Sequence, residues 1–147
     1  MAIGLSIEEK NLKEFTEKML EFASDKNLKN LSPTVKVDAE ITSVDVTNET
    51  IKELEMLKPF GESNPAPIFV YKNLKVDGIR LLSNDKHLKL SLKDGSSIYE
   101  AIAFNMGDKK YSIKLGDKVD VLHSLEINSF NNTEKIQLNV KDIKKSL

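Results

Sequence analysis

The sequence contains no cysteine. That excludes a disulfide framework, a zinc–thiolate centre and a thiol nucleophile, and it fits a reducing cytoplasm. Histidine is scarce: His87 and His123 are the only two. Neither belongs to an Asp-His-His or His-x-x-x-His pairing, so each reads as an ordinary strand histidine rather than a metal ligand. No apolar run approaches membrane-spanning length, and no signal-peptide pattern is visible. No glycine-rich phosphate loop of the P-loop or dinucleotide kind occurs. A net charge of −1 is not that of a strongly basic nucleic-acid binder, although it leaves room for a local basic face on one sheet. Asp and Glu are scattered over predicted solvent faces, and Ser6 and Thr47 are better explained as helix caps than as nucleophiles. On residues alone, the chain reads as a binding module with no catalytic residue and no metal site.

What is present is an ordinary globular composition, 39% hydrophobic and 31% charged over 147 residues, enough for one or at most two small domains. The two halves meet at Leu57–Phe69, where three of the four prolines fall. Pro59 fixes its own φ and pushes Lys58 out of the helical region, so any preceding helix must stop. Asn64-Pro65 and Ala66-Pro67 impose extended or turn geometry, and Gly61 permits a left-handed residue. Phe60 and Phe69 flank the rigid loop and can anchor its ends in apolar surface.

Before the loop the pattern is helix, strand, helix. Ser6-Ile7-Glu8-Glu9 predicts a capping box. Leu12, Phe15, Met19 and Phe22 then recur at helical spacing, giving a helix over about 6–24. Val35, Val37, Ala39 and Ile41 alternate with Lys36, Asp38 and Glu40, a half-buried strand over about 34–42. Thr47 is the expected N-cap of a short helix, with Val46 and Ile51 as a hydrophobic staple and Ile51, Leu54 and Leu57 facing inward. A lone strand needs a ladder partner. It is expected either to pair with chain outside this sequence or to lie at an edge. The apolar start Met1–Leu5 reads as if cut from the middle of a domain, or as an arm folding back on the core.

After the loop everything reads as strand. Leu74, Val76 and Ile79 mark a strand over about 73–82, bulged at Gly78. Leu88, Leu90 and Leu92 alternate with His87, Lys89, Ser91 and Lys93, and Asp94-Gly95 signals a hairpin. The return strand, Ile98–Phe104, is apolar on both parities and is expected to be covered on both faces. Residues 105–117 form a polar connection able to hold one helical turn. Val119, Val121, Leu125 and Ile127 mark a fourth strand, and Ile136, Leu138 and Val140 a fifth. Two tight hairpins and a longer third-to-fourth connection match a five-stranded Greek-key OB-fold barrel, with a small β-sandwich as the competitor.

The candidate binding surface is basic with interleaved aromatics: Lys89 and Lys93 on one strand, Tyr99 on its partner, and Phe130, Lys135 and Gln137 on the last hairpin. Cations that track phosphates beside rings that stack bases are what a single-stranded nucleic acid requires. The plainer alternative is that the lysines are merely solvated and that Tyr99 and Phe130 complete the core.

The loop Pro59-Phe60-Gly61-Glu62-Ser63-Asn64-Pro65-Ala66-Pro67, followed by Ile68-Phe69, resembles the C-terminal region of the RecJ family, single-strand-specific DNA exonucleases of the DHH phosphoesterase superfamily. That family carries Pro-Phe-Gly-x-Gly-Asn-Pro-x-Pro before an apolar strand, so Ser63 stands where a second glycine is usual. His87-Leu88-Lys89-Leu90, Glu100–Asn105, Gln137–Ile143 and Val37–Glu40 are similar to family strands in the same register. The resemblance implies an α+β chain: residues 1–57 as the tail of the DHH-associated domain, 58–67 as a connecting loop, and 68–147 as the OB-fold. It implies that Pro59, Phe60, Gly61, Asn64, Pro65 and Pro67 form the family's loop. It also implies that the parent enzyme uses Mn²⁺ or Mg²⁺ held upstream, and that this piece contributes single-stranded-DNA-binding surface in repair and recombination. The expected molecule is a cytoplasmic monomer, with single-strand-binding protein as a candidate partner. The alternative reading is a module that docks a replication partner or braces the nuclease core.

Overall fold

A computed structural model of the chain describes residues 4–26, 34–130 and 133–146. The chain divides at Val35 and Lys36 into two compact units. The first holds a short 3-10 turn, Glu9–Asn11, that runs into helix α1, Leu12–Asp25. The expected capping box does not form. The 3-10 turn intervenes, its Asn11 amide bonds the Glu8 carbonyl, and Asn11 precedes α1 in a helical rather than an extended conformation, with no side-chain cap.

The second unit begins with β1, Ala39–Glu40, and helix α2, Asn48–Glu55. Thr47 caps α2 as expected, its Oγ1 accepting the Thr50 amide at 3.1 Å. Ile51 is buried and Leu54 is half-buried, whereas Leu57 lies beyond the last turn and is exposed. The strand expected over 34–42 shortens to β1, because Val35 and Val37 face solvent and only Ile41 enters the core. It sits at a sheet edge, parallel to the next strand, and the Asp38 and Ile41 amides extend the pairing to the Ile68 and Val70 carbonyls.

Five long strands follow: β2, Phe69–Leu82; β3, His87–Asp94; β4, Ser97–Ala103; β5, Lys118–Phe130; and β6, Thr133–Lys145. Their order is β2-β3-β4-β6-β5, and β5 pairs again with β2, so the sheet closes on itself. The β4–β6 pair is parallel and the others are antiparallel. This is the five-stranded OB-fold barrel rather than a sandwich.

Closure depends on β2 bending. Its first half pairs with β5 and its second half with β3. Two bulges make the turn: one at Asn73, in the left-handed region with φ 59°, and one between Val76 and Gly78 as the glycine predicts. The Asn73 amide donates to Asp120 Oδ1 at 3.1 Å, which fixes the first of them. Alternating apolar residues then fill the interior: Leu74 and Val76, Leu88, Leu90 and Leu92, Ala101 and Ala103, Val119 and Val121, Leu138 and Val140. Trimming any of the central leucines, such as Leu90→Ala, is expected to destabilise the barrel by about 2–5 kcal/mol in urea unfolding.

One strand differs from expectation. β4 is not covered on both faces: Ile98 is 59% exposed and Phe104, just past the strand end, 48%. Only the parity of Ala101 and Ala103 points into the barrel. The outer side of β4 is open because α2 and the proline loop pack elsewhere, on the β5 side of the barrel.

The connection from β4 to β5 carries a short 3-10 turn, Gly107–Tyr111, as its polar composition suggests. It presses against residues 83–86, the loop from β2 to β3, and the Gly107 amide donates to the Lys86 carbonyl at 3.1 Å. A Cβ at Gly107 would fall 1.7 Å from the Asp85 carbonyl oxygen. Gly107→Ala is therefore expected to destabilise the protein by about 1–3 kcal/mol or more and to displace the 83–86 amide resonances, measured by thermal unfolding and heteronuclear NMR.

Candidate nucleic-acid interface

In an OB-fold, the outer face of the second and third barrel strands, framed by the first and last hairpin loops, is where oligonucleotides bind. Those strands are β3 and β4 here. Because Leu88, Leu90 and Leu92 point inward, Lys89, Ser91 and Lys93 point outward. The same alternation turns Ile98, Glu100 and Ile102 outward on β4 and Lys135, Gln137 and Asn139 outward on β6. Register sets these residues side by side. Arg80 of β2 stands opposite Lys89, Lys89 opposite Ile102, Ser91 opposite Glu100, Lys93 opposite Ile98, and Glu100 opposite Gln137. Directly opposed side chains lie roughly 5 Å apart at Cβ.

The face is thus a band of cations crossed by an apolar line. Arg80, Lys93 and Lys135 have no carboxylate within salt-bridge distance among the described residues. Lys89 does: its Nζ lies 2.8 Å from Glu100 Oε2, with both side chains about one-third exposed (36% and 35%). The Lys89 hydrogen bond, aided by the fields of Lys89 and Lys135, holds the Glu100 carboxyl below the usual carboxylate range despite partial desolvation. Beside this pair a groove of about 440 Å³ is lined by Val46, Ile98, Tyr99, Glu100, Lys135 and Ile136.

Of the residues singled out from sequence, the fold brings Lys89, Lys93, Lys135 and Gln137 onto this face. Tyr99 has the opposite parity. Its ring packs 5.7 Å from that of buried Tyr71, leaving one edge on the groove. Tyr71 in turn donates to Asp94 Oδ2 at 2.7 Å, and burial together with that bond pushes its phenol pKa up. The side chain of Phe130 lies outside the described residues.

Three surface residues escaped the sequence reading. Arg80 stood in a strand read for its apolar positions, His87 read as an ordinary strand histidine, and Phe104 read as part of a covered strand. In the structure the rings of His87 and Phe104 meet edge-on at 5.2 Å at one end of the face. The Asn105 amide donates to His87 Nδ1 at 3.0 Å, which fixes the imidazole orientation. The signal that could have found Phe104 is its shared parity with Glu100, but two apolar parities left the outward side undecided.

The proline loop is closed by its own Asn64, whose Nδ2 donates to the Leu57 and Pro59 carbonyls at 2.8 and 3.0 Å. Gly61 and Asn64 exchange backbone bonds, and the Lys58–Pro59 peptide is cis. Gly61 does not use a left-handed conformation, and an added Cβ would meet open space, so neither backbone angle nor room requires glycine there. Pro65 is exposed, whereas Phe60, Pro67 and Phe69 line an apolar cleft of about 340 Å³ with Ile51 and Leu54 of α2. The two phenylalanines therefore anchor the loop as expected.

No group of three or more His, Cys, Asp or Glu side chains is placed to hold a metal ion among the described residues. Nor is any helix among them long and apolar enough to cross a membrane.

Comparison with known proteins places this architecture. The family model described as the RecJ OB domain matches residues 37–142. The single-stranded-DNA-specific exonuclease RecJ of Bacillus subtilis is 30% identical over 145 residues, covering 97% of this chain and 18% of that protein. The protein of the same name from Haemophilus influenzae is 29% identical, covering 94% of this chain and 24% of its own length. The crystal structure of RecJ with Mn²⁺ from Thermus thermophilus superposes with a TM-score of 0.75 at 22% identity, covering 98% of this chain and 20% of that one. A second crystal structure of that protein contains Mg²⁺. The chain thus spans about a fifth to a quarter of the length of the relatives it matches. With the family's domain model matching residues 37–142, which span nearly the whole barrel and more than half of the sequence, this chain belongs to the RecJ OB-domain family.

Proposed function

We propose that this chain is the strand-gripping segment of a RecJ-like 5′-to-3′ single-stranded-DNA exonuclease of DNA repair and recombination, working in the cytoplasm as part of a monomeric enzyme. Residues 1–57 are then the end of the DHH-associated domain, 58–67 the connector, and 68–147 the gripping barrel. In this reading the metal chemistry, with Mn²⁺ or Mg²⁺ activating water for phosphodiester cleavage, is supplied by another part of the enzyme.

One observation carries the reading. The OB face on β3 and β4 presents an apolar line, exposed at Ile98 and Phe104 and half-buried at Ile102, flanked by Arg80, Lys89, Lys93 and Lys135. A single strand laid there puts bases on the apolar line and phosphates on the cations. Aliphatic contact replaces most of the stacking that an aromatic platform would supply, so grip is modest and suits a strand that must move. With three or four phosphates neutralised, log affinity should fall against log salt with a slope of about −2 to −3.

The test is fluorescence anisotropy of the 147-residue chain with a labelled oligothymidylate of about 15 nucleotides and with a matched duplex. Salt-sensitive binding that prefers the single strand is expected, without metal-dependent cleavage. Equal affinity for both forms, or nucleolysis by the purified chain, would contradict the proposal.

A further inference from the structure

We infer that Glu100 is a built-in competitor for the Lys89 ammonium, occupying it until a phosphodiester displaces the carboxylate, and so sets how loosely the face holds a strand. The inference rests on reading this face as the strand-binding surface and concerns how that surface is regulated.

Glu100 sits at the middle of the face. Lys89 bonds it at 2.8 Å, Ser91 stands opposite it on β3 and Gln137 opposite it on β6. The Glu100 side chain is about two-thirds covered, so its charge is less screened than that of the exposed ion pairs on this chain, such as Lys18–Glu14. No other cation of the face is tied in this way among the described residues. The fold itself does not call for the pair, because Ala101, Ala103 and the leucines of β3 already fill the interior beneath it. A carboxylate placed at the centre of a cation band weakens anion binding twice: Lys89 must be released, and the arriving phosphate meets a like charge. The result is a contact that exchanges one anion for another on the same ammonium, paired to Glu100 before the strand arrives and to phosphate after it. That is a low-barrier handover for a backbone moving past in steps of one nucleotide.

The test uses Glu100→Gln in the 147-residue chain, with the same oligothymidylate in anisotropy. Glutamine keeps the shape and removes the charge, and loss of a partly exposed pair leaves the melting temperature nearly unchanged. Affinity is expected to rise about three- to tenfold, with the salt slope steeper by about 0.7. In a Lys89→Gln background the same exchange should gain clearly less than in the wild type, because the competed ammonium is gone and only the like-charge repulsion remains to be relieved. Binding by the wild type that Glu100→Gln leaves unchanged or weakens overturns the inference while leaving the strand-binding reading intact. An undiminished gain in the Lys89→Gln background overturns the role of Lys89. Absence of binding by both wild type and Glu100→Gln overturns the strand-binding reading, and this inference with it.

Discussion

Exchanging Lys89 and Lys93 together for glutamate is expected to weaken oligonucleotide binding by about 10- to 100-fold at moderate salt. Both lysines project from β3 to the outer face, one opposite Arg80 and Ile102, the other opposite Ile98. Each reversal removes a phosphate contact and adds a repulsion, so the salt slope should flatten as well as the affinity fall. Lys93 should give the larger single effect. It has no carboxylate partner among the described residues, whereas Lys89 already spends part of its charge on Glu100. Glutamate at 89 also faces Glu100, a like-charge contact that destabilises the sheet by less than about 1 kcal/mol, so unfolding curves must accompany the titrations. The double exchange separates the proposed grip from a bracing or docking role. A bracing module would keep whatever oligonucleotide affinity it has and lose only contact with its protein partner.

Acid should destabilise the barrel through His123 well before the carboxylates titrate. This imidazole is fully buried on β5, its ring 6.2 Å from that of Phe69, and its Nε2 has no hydrogen-bond partner among the described residues. Burial holds its pKa down at about 4, against an ordinary value of 6.5, and a long contact to the Ser124 carbonyl offsets only part of that. Between those values the unfolded chain binds a proton that the folded one refuses. Stability therefore rises with pH across this window. It is complete above pH 6.5 and is lost as pH falls toward 4, by about 3 kcal/mol in all. Urea unfolding at pH 7 and at pH 4.5 measures most of this. His123→Leu should remove the greater part of the difference while changing stability at pH 7 little, since an unpartnered buried nitrogen is replaced by an apolar side chain. Glu100, Asp117 and Asp120, whose carboxyls are held down chiefly by Lys89, Lys145 and Ser146, add their own loss at lower pH. A pH dependence identical in wild type and His123→Leu would show that the imidazole reaches water.

The affinity predictions and the acid prediction draw on different strands. Lys89, Lys93 and Glu100 act on the outer face of β3 and β4, while His123 sits inside β5. Variants of one should leave the other's readout unchanged, since residues without shared partners behave additively.

Local sequence determined the barrel's strands. Period-two alternation in 87–93 and 135–141 carries its own inside and outside, a glycine marked the β2 bulge, and Gly95 takes the first loop position of the β3–β4 hairpin with φ 56°. Thr47 specified the start of α2 through one side-chain bond. Tertiary structure alone decided three matters. It chose which parity of β4 faces water, because both are apolar and only the barrel's closure tells them apart. It turned Tyr99 inward against Tyr71 and left Phe104 with His87 at the surface. It brought Glu100 to Lys89 from another strand, a pairing set by register. Alternation is a property of neighbours in the chain, whereas register and closure arise from strands far apart in it, so the former is written locally and the latter appears only when the sheet closes.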